Sequence, residues 1–411
     1  MFQTRERMPR AELRTRHERC RSLLRALLPD AGGILISGYP AIYYFSGTMA
    51  AGVFWLPLEG EPVLAVRKAM ERAALESPLE NLVSYRSFKE LPSLFAAAGS
   101  PLPDTVALDK AGVSWEQGEL LASRLPVRTF LAGDDVMGRT RTLKSSWELA
   151  KIREAGKRHH QSLRRLLPAR IRPGMTEMDV ARTLWDIFFS LDHCGALPAG
   201  MPGAGVFLGN ITAGENGNYP TAYNGPLGLE GAHPASPLMA SQTTRWARGE
   251  VLLADTGFSF EGYLTDKTDT YFAGRREDIP PLVQQAQDVT EAIEAHCADL
   301  LKPGAIPAAI YAESLRMAED AGFAKGFMGF GGNKVPFLGH GIGLTISEWP
   351  IIARGFTEPL QCGMTIALEP KIGLPGIGMV GTENTYEITE NGPFCLTGTD
   401  RGIICVDDDA A

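Results

Sequence analysis

Five residues have side chains whose type and setting suit a metal centre: Asp255, Asp266, His340, Glu369 and Glu383. The two aspartates lie in VLLADTGFSFEGYLTDKTDTYF (251–272), where residues alternate on both sides of Phe260-Glu261 and Gly262 is free to take a positive φ. This pattern reads as a hairpin with a bulge. Pairing across its turn sets Asp255 opposite, or nearly opposite, Asp266 on one face, and two carboxylates so placed repel unless a cation or a proton lies between them. An exposed acidic rim is the other reading; Leu252, Leu253 and Phe258 alongside favour burial.

His340 stands between Gly339 and Gly341 in FLGHGIGLTISEWP (337–350), where small neighbours leave space for a ligand, although a histidine among glycines also reads as a turn residue. No Lys-bearing helix follows, so GHGIG is not a phosphate loop. MTIALEP ends a strand at Glu369, and MVGTENTYEIT sets Glu383 within an apolar alternation, where a buried acid needs a partner. Four carboxylates and an imidazole suit Mn²⁺, Co²⁺, Fe²⁺ or Zn²⁺. Two such ions sharing carboxylates bring the pKa of a water toward neutrality and clamp an electrophile, which is the chemistry of hydrolysis.

The elements that position these residues are legible in outline. At roughly 150 residues per domain, 411 residues allow two or three domains. Residues 10–28 carry Leu13, Cys20, Leu23, Leu24 and Leu27 as a rough helical stripe. GGILISG (32–38) reads as a buried strand and FWLPLEGEPVLAV (54–66) as a hairpin turning at Glu59-Gly60; strand and helix then alternate to about Asp135. This first domain, 1–140, is α/β, has no phosphate loop and no cluster of His and acids, and reads as a scaffold or substrate gate. Ser145-Ser146-Trp147-Glu148 is a capping box opening the second domain, 145–411. Inside it, IRPGMTEMDVARTLWDIFFSLDHCG (171–195) and LKPGAIPAAIYAESLRMAEDAGF (301–323) share one template, as a duplicated helix–helix–hairpin unit would.

A net charge of -8 argues against a nucleic-acid partner, whose binding rests on clustered Lys and Arg. The basic stretch Arg158 to Arg172 is expected to be a solvated helix face. Six cysteines without a CxxC pattern read as free thiols of a reducing compartment. The N-terminus has no apolar leader region and no run is long enough to span a bilayer, so a cytoplasmic location is expected.

Residues 145–400 resemble the pita-bread metallopeptidase superfamily, which includes methionine aminopeptidases, Xaa-Pro aminopeptidases, prolidases and metal-free creatinase. The resemblance is carried by Asp255 and Asp266 in a DxG…GYxxDxT frame, GHGIG around His340, LEP at Glu369 and GTEN at Glu383. Residues 1–140 are similar to the N-terminal domain of the creatinase and prolidase branch, through YYFSGT (43–48) and the GEP hairpin (60–62). The resemblance implies an α/β domain followed by an α+β pita-bread domain of pseudo-two-fold symmetry. It implies two divalent ions, Mn²⁺ or Co²⁺ before Fe²⁺ or Zn²⁺, bridged by Asp266 and Glu383, with Asp255 on one and His340 and Glu369 on the other. Glu369 would also carry the proton from the attacking water to the leaving amine.

Several positions depart from the family. Ser347 and Pro336 stand where peptidases of this type carry histidines, and Asp269 stands where Arg is usual. Leu238 occupies a further histidine position; the nearest imidazole, His233, is a candidate catalytic substitute if the loop carries an insertion. GENGNYPTAYNGPLGLEGAHP (214–234), expected to be a long loop, either supplies replacement groups near the metals or is a surface Ω-loop. The expected function is a metal-dependent Xaa-Pro aminopeptidase or dipeptidase acting on small peptides, with the first domain limiting substrate length. The alternatives are a C–N hydrolase or lyase of a small metabolite, as in ectoine hydrolase or dimethylsulfoniopropionate lyase, and an inactive binding homologue. A homodimer is expected from the relatives alone.

Overall fold

The computed structural model describes residues 2–198 and 205–407, so the outermost residues of both expected domains and 199–204 lie outside it. The chain divides into two compact units, one comprising Met1–Arg141 and the other Thr142–Ala199 with Gly205–Ala411.

In the first unit the apolar run Gly33–Ile36 is completely buried, as a strand covered on both faces must be. It pairs antiparallel with Gly52–Pro57 and parallel with Thr105–Leu108 at the centre of a mixed six-stranded sheet. Gly52–Pro57 and Val63–Val66 form the expected hairpin. The amphipathic helix Arg10–Leu27 buries Leu13, Cys20 and Leu24. Its His17 is also buried, with Nε2 2.8 Å from the Phe45 carbonyl.

The second unit opens as its sequence requires. Ser145 accepts from the Glu148 amide, Glu148 accepts from the Ser145 amide, and the helix Ser146–Gln161 follows. The order helix, helix, hairpin then occurs twice. Helices Ser146–Gln161 and Glu177–Ser190 precede the hairpin Val251–Phe260/Tyr263–Ala273. Helices Pro281–Asp299 and Pro307–Asp320 precede the pair Phe337–Gly341/Glu348–Ala353. Each Pro-Gly segment leads into the second helix of its half, one capped by Thr176 and the other begun by Pro307. The first hairpin is central in a four-stranded sheet between Gly209–Ala213 and Ile404–Val406. Phe337–Gly341 lies between Glu348–Ala353 and Thr365–Leu368 in a five-stranded sheet that continues through Asn384–Thr389 to Gly392–Cys395.

The first hairpin differs from its sequence reading. Its register runs unbroken from Val251↔Phe272 to Phe260↔Tyr263, without a bulge. The turn is Glu261-Gly262, with φ of 49° and 84°, the two positive angles of a type I′ connection. Glycine meets that demand without strain at the second position; at the first, Glu261 carries it. Nor is the basic stretch simply a solvated face. The helix gives way at Ser162 to a π turn, Ser162–Leu166, from which Arg164 Nε reaches 2.9 Å from Asp269 Oδ1, both side chains nearly buried. Asp269, in the position where Arg was expected, is therefore neutralised from the helix side.

Candidate metal centre

The unbroken register pairs Asp255 with Thr268 and Asp266 with Gly257. The two aspartates are thus diagonal neighbours two residues apart, on one face because strand side chains alternate. Strand pairing on both sides fixes Asp255, since Asn210 lies across from it on the other neighbour. Asp266 is held through its backbone: its amide donates to Thr385 Oγ1 at 2.9 Å and its carbonyl accepts from the same hydroxyl at 2.9 Å.

The other half supplies the remaining groups. His340 sits mid-strand, where Gly339 and Gly341 let neighbouring backbone approach: a Cβ on either would fall 2.0 Å from the Ala367 carbonyl or 2.4 Å from that of Trp349. Its Nδ1 lies 3.1 Å from the Gly341 carbonyl. A carbonyl only accepts, so Nδ1 carries the proton. Burial lowers the pKa of His340 and favours the neutral ring. Nε2 then presents a lone pair toward Asp266 Oδ2 at 3.9 Å and Glu369 Oε1 at 3.7 Å. Orienting a ligating histidine through its other nitrogen is the usual second layer of a metal site. Glu369 directly follows the strand Thr365–Leu368. Glu383 is not within a strand, as the alternation suggested, but in the break between Gly378–Gly381 and Asn384–Thr389. There it exchanges backbone hydrogen bonds with Thr268, whose hydroxyl donates to Glu383 Oε2 at 2.8 Å.

The five residues named from sequence therefore meet. Their ligating atoms form two groups, Asp266–His340–Glu383 and Asp255–Glu369–Glu383, each with atoms within 4.8 Å of one another. Burial is the leading cause of perturbed ionisation throughout. It pushes Asp255 up to about 6, Glu369 up to about 7, Glu383 upward and Asp266 well above the usual carboxylate range, with the neighbouring carboxylates adding to each. An array that resists ionisation together is one that positive charge relaxes, and hard oxygen donors with one imidazole match a divalent ion. The donor set fits a metal.

Three residues were not singled out from the sequence. Lys371 is completely buried, and its Nζ lies 3.0 Å from Glu369 Oε2, 3.0 Å from Glu383 Oε2 and 3.3 Å from Asp255 Oδ2. The signal for it is plain in LEPKIG: a lysine two residues beyond an acid, opening a strand otherwise free of charge. Tyr223, in the Gly- and Asn-rich segment, has a buried hydroxyl, raised well above its ordinary pKa by burial and by the charge of Asp255. Thr268, which holds Glu383, was visible only as part of the DKTDT pattern.

The expected substitutes for missing histidines divide. His233 does not join either group. It is exposed in a tight turn, where its ring accepts from the Ala235 amide at 3.0 Å and its backbone pairs with Ser236. The His233–Ser236 backbone pair closes the turn locally and keeps the imidazole at the surface. Ser347 and Pro336 are exposed as well. Beside Ser347, Glu348 is buried and organises the loop, accepting from the Leu344 and Thr345 amides and lying 3.3 Å from Lys144 Nζ. Of the 214–234 segment, Tyr223 approaches the acids, while Asn216 donates to buried Glu177 and Asn218 to the Leu374 carbonyl.

Comparison with known proteins bears on the same residues. The model of metallopeptidase family M24 matches residues 150–390, and that of the creatinase/prolidase N-terminal domain matches residues 16–143. An Xaa-Pro dipeptidase of Pyrococcus furiosus is 26% identical over 369 residues, covering 88% of this chain and 92% of its own. Among solved structures, dipeptidase PepE from Mycobacterium ulcerans superposes with a TM-score of 0.78 at 22% identity, covering 98% of this chain and 100% of its own. The prolidase from Pyrococcus horikoshii OT3 does so with a TM-score of 0.76 at 22% identity, covering 95% and 99%.

Proposed function

The chain belongs to metallopeptidase family M24, with a creatinase/prolidase N-terminal domain before the catalytic one, and from that premise we propose that it hydrolyses short peptides of the Xaa-Pro type. The observation that carries this reading is the convergence of Asp255, Asp266, His340, Glu369 and Glu383 from both halves of one unit, in a family whose membership implies divalent metal. Mn²⁺ or Co²⁺ suits the donors best, and Asp266, His340 and Glu383 would hold an ion, with Asp255 and Glu369 completing the second group. A divalent ion there supplies Lewis-acid charge for a carbonyl oxygen and lowers the pKa of a water.

The chain's own residues do the rest. Glu369, beside the Nε2 of His340 and in the second ligand group, would accept a proton from the attacking water and return it to the departing amine. Lys371 compensates the acids that would otherwise repel one another. Thr268 and Thr385 lock Glu383 and Asp266 in place. The proline preference rests on the names of the relatives. Exposed Ser347 and Pro336, in the places of the expected histidines, favour a second reading, hydrolysis of a non-peptide C–N bond in a small metabolite.

No helix among the described residues is long and apolar enough to cross a membrane. A cytoplasmic homodimer remains part of the proposal.

A panel of Xaa-Pro and Xaa-Ala dipeptides, assayed for released amino acid with Mn²⁺-loaded protein, tests the peptide reading. Cleavage with preference for Xaa-Pro is expected. A metal-loaded sample that cuts none of them overturns it in favour of the metabolite hydrolase.

A further inference from the structure

The three carboxylates around Lys371 are the same three that form the second ligand group. Its ammonium lies 3.3, 3.0 and 3.0 Å from Asp255, Glu369 and Glu383, and the group that could hold a second cation is Asp255–Glu369–Glu383. A lysine ammonium is a compact point charge with three donors, and here each donor has one carboxylate. A buried ammonium is costly unless it is paired on this scale, so these contacts fix its position.

The fold is shaped to bring that ammonium in. Lys371 begins the strand Lys371–Leu374 and pairs with Gly381 of Gly378–Gly381. A Cβ on Gly381 would fall 2.7 Å from Lys371 Cγ, so the glycine clears the path of the lysine stem. Glu383, two residues beyond Gly381, is held by Thr268 from the opposite half with its Oε2 aimed at the ammonium. The stem is packed and the side chain has no exposed surface.

We propose that Lys371 is the permanent cation of the Asp255–Glu369–Glu383 group, and that this chain takes a single divalent ion, at Asp266–His340–Glu383, instead of two. The inference rests on the metallohydrolase reading above and changes its metal count. Glu383 serves both positions, one oxygen held by Lys371 and Thr268 and the other left for the ion. Asp255 becomes a partner of the ammonium, not a metal ligand.

The test counts metal. Full-length protein dialysed against Mn²⁺ and freed of excess is analysed for metal per chain, with the electron paramagnetic resonance spectrum as a second reading. One ion per chain and the six-line spectrum of isolated Mn²⁺ are expected for the native chain and for Lys371→Arg. Two ions per chain and the broadened spectrum of a coupled pair are expected for Lys371→Ala, in which the position is vacated. Two ions per chain in the native protein overturn the proposal, as does a folded Lys371→Ala that still holds one. If Lys371→Ala does not fold, the native count and spectrum decide alone. No bound ion in the native protein overturns this inference and the metallohydrolase reading together. A count of one with no dipeptide cleavage leaves the inference standing and removes only the peptide substrate.

Discussion

The two halves of the catalytic unit contribute to one site by different means. The first half places Asp255 and Asp266 on a regular hairpin, paired without interruption over its length and flanked by strands on both sides. Asp255 is fixed by backbone pairing on both sides, whereas Asp266 is paired on one side and has its amide and carbonyl held by the Thr385 hydroxyl from the second half. Behind this hairpin His159 lies between the hydroxyls of Thr256 and Thr265, and His193 is stacked on Phe188 and edge-on to Phe258. The second half places His340, Glu369 and Glu383 on or beside irregular strands: register shifts accompany His340, and Glu383 occupies a gap between strands. Here side chains replace the missing ladder. Buried Glu294, from the helix Pro281–Asp299, accepts from Thr382 Oγ1, Asn384 Nδ2 and Tyr386 OH, and so ties the segment around Glu383 to the helix layer. Regular pairing gives precision through the backbone, whereas an irregular segment needs a polar network to reach the same precision.

The comparison breaks most visibly at Glu294. Glu294→Ala strips three buried donors of their acceptor, each costing about 1–3 kcal/mol when left unmade. A loss of about 3 kcal/mol or more in urea unfolding is expected. A loss under about 1 kcal/mol, with the site still able to bind metal, would mean that the second half does not depend on this network.

A smaller effect, with a sign, belongs to the first half. Burial lowers His193 to about 4 and His159 well below its ordinary value. Both are therefore neutral in the folded chain where the unfolded chain would be protonated. The stability they contribute is fully present above pH 6.5 and is lost as pH falls toward 4. Urea midpoints measured between pH 7 and pH 4 are expected to decline, and His193→Gln to decline less steeply. Parallel slopes for the two proteins would show that the buried imidazole is not the source of acid sensitivity.

The same contrast explains what could be read from the sequence. Local grammar was legible: the Ser145 capping box, the buried strand Gly33–Ile36 and the two Pro-Gly entries to helices each depend on a few adjacent residues. The four acids and the imidazole were legible because each stands in a short stretch whose apolar neighbours exclude a solvated role. The hairpin was legible in kind but not in register, since a type I′ turn at Glu261-Gly262 and a bulged turn one residue away leave nearly the same alternation. Glu383 was recognised while its setting was not, because the break in its strand is fixed by Thr268, over a hundred residues earlier. Lys371 is hidden in the sequence for a similar reason. Two residues from Glu369 it reads as an ordinary ion pair, and only the fold brings Asp255 and Glu383 to its other two protons. His233 shows the converse, a residue of suitable chemistry at a suggestive place in the chain, whose turn keeps it at the surface.

Binding of a divalent ion where the halves meet is tested most directly by thermal unfolding with added Mn²⁺. An ion bound only by the folded state stabilises it by mass action, by about 2.7 kcal/mol at a hundredfold excess over its dissociation constant. The native chain is expected to melt at progressively higher temperature as Mn²⁺ is raised, and His340→Ala, which removes the one imidazole of the first ligand group, to show no such rise. A native chain indifferent to Mn²⁺ and Co²⁺, or a His340→Ala variant that gains as much as the native one, would contradict it.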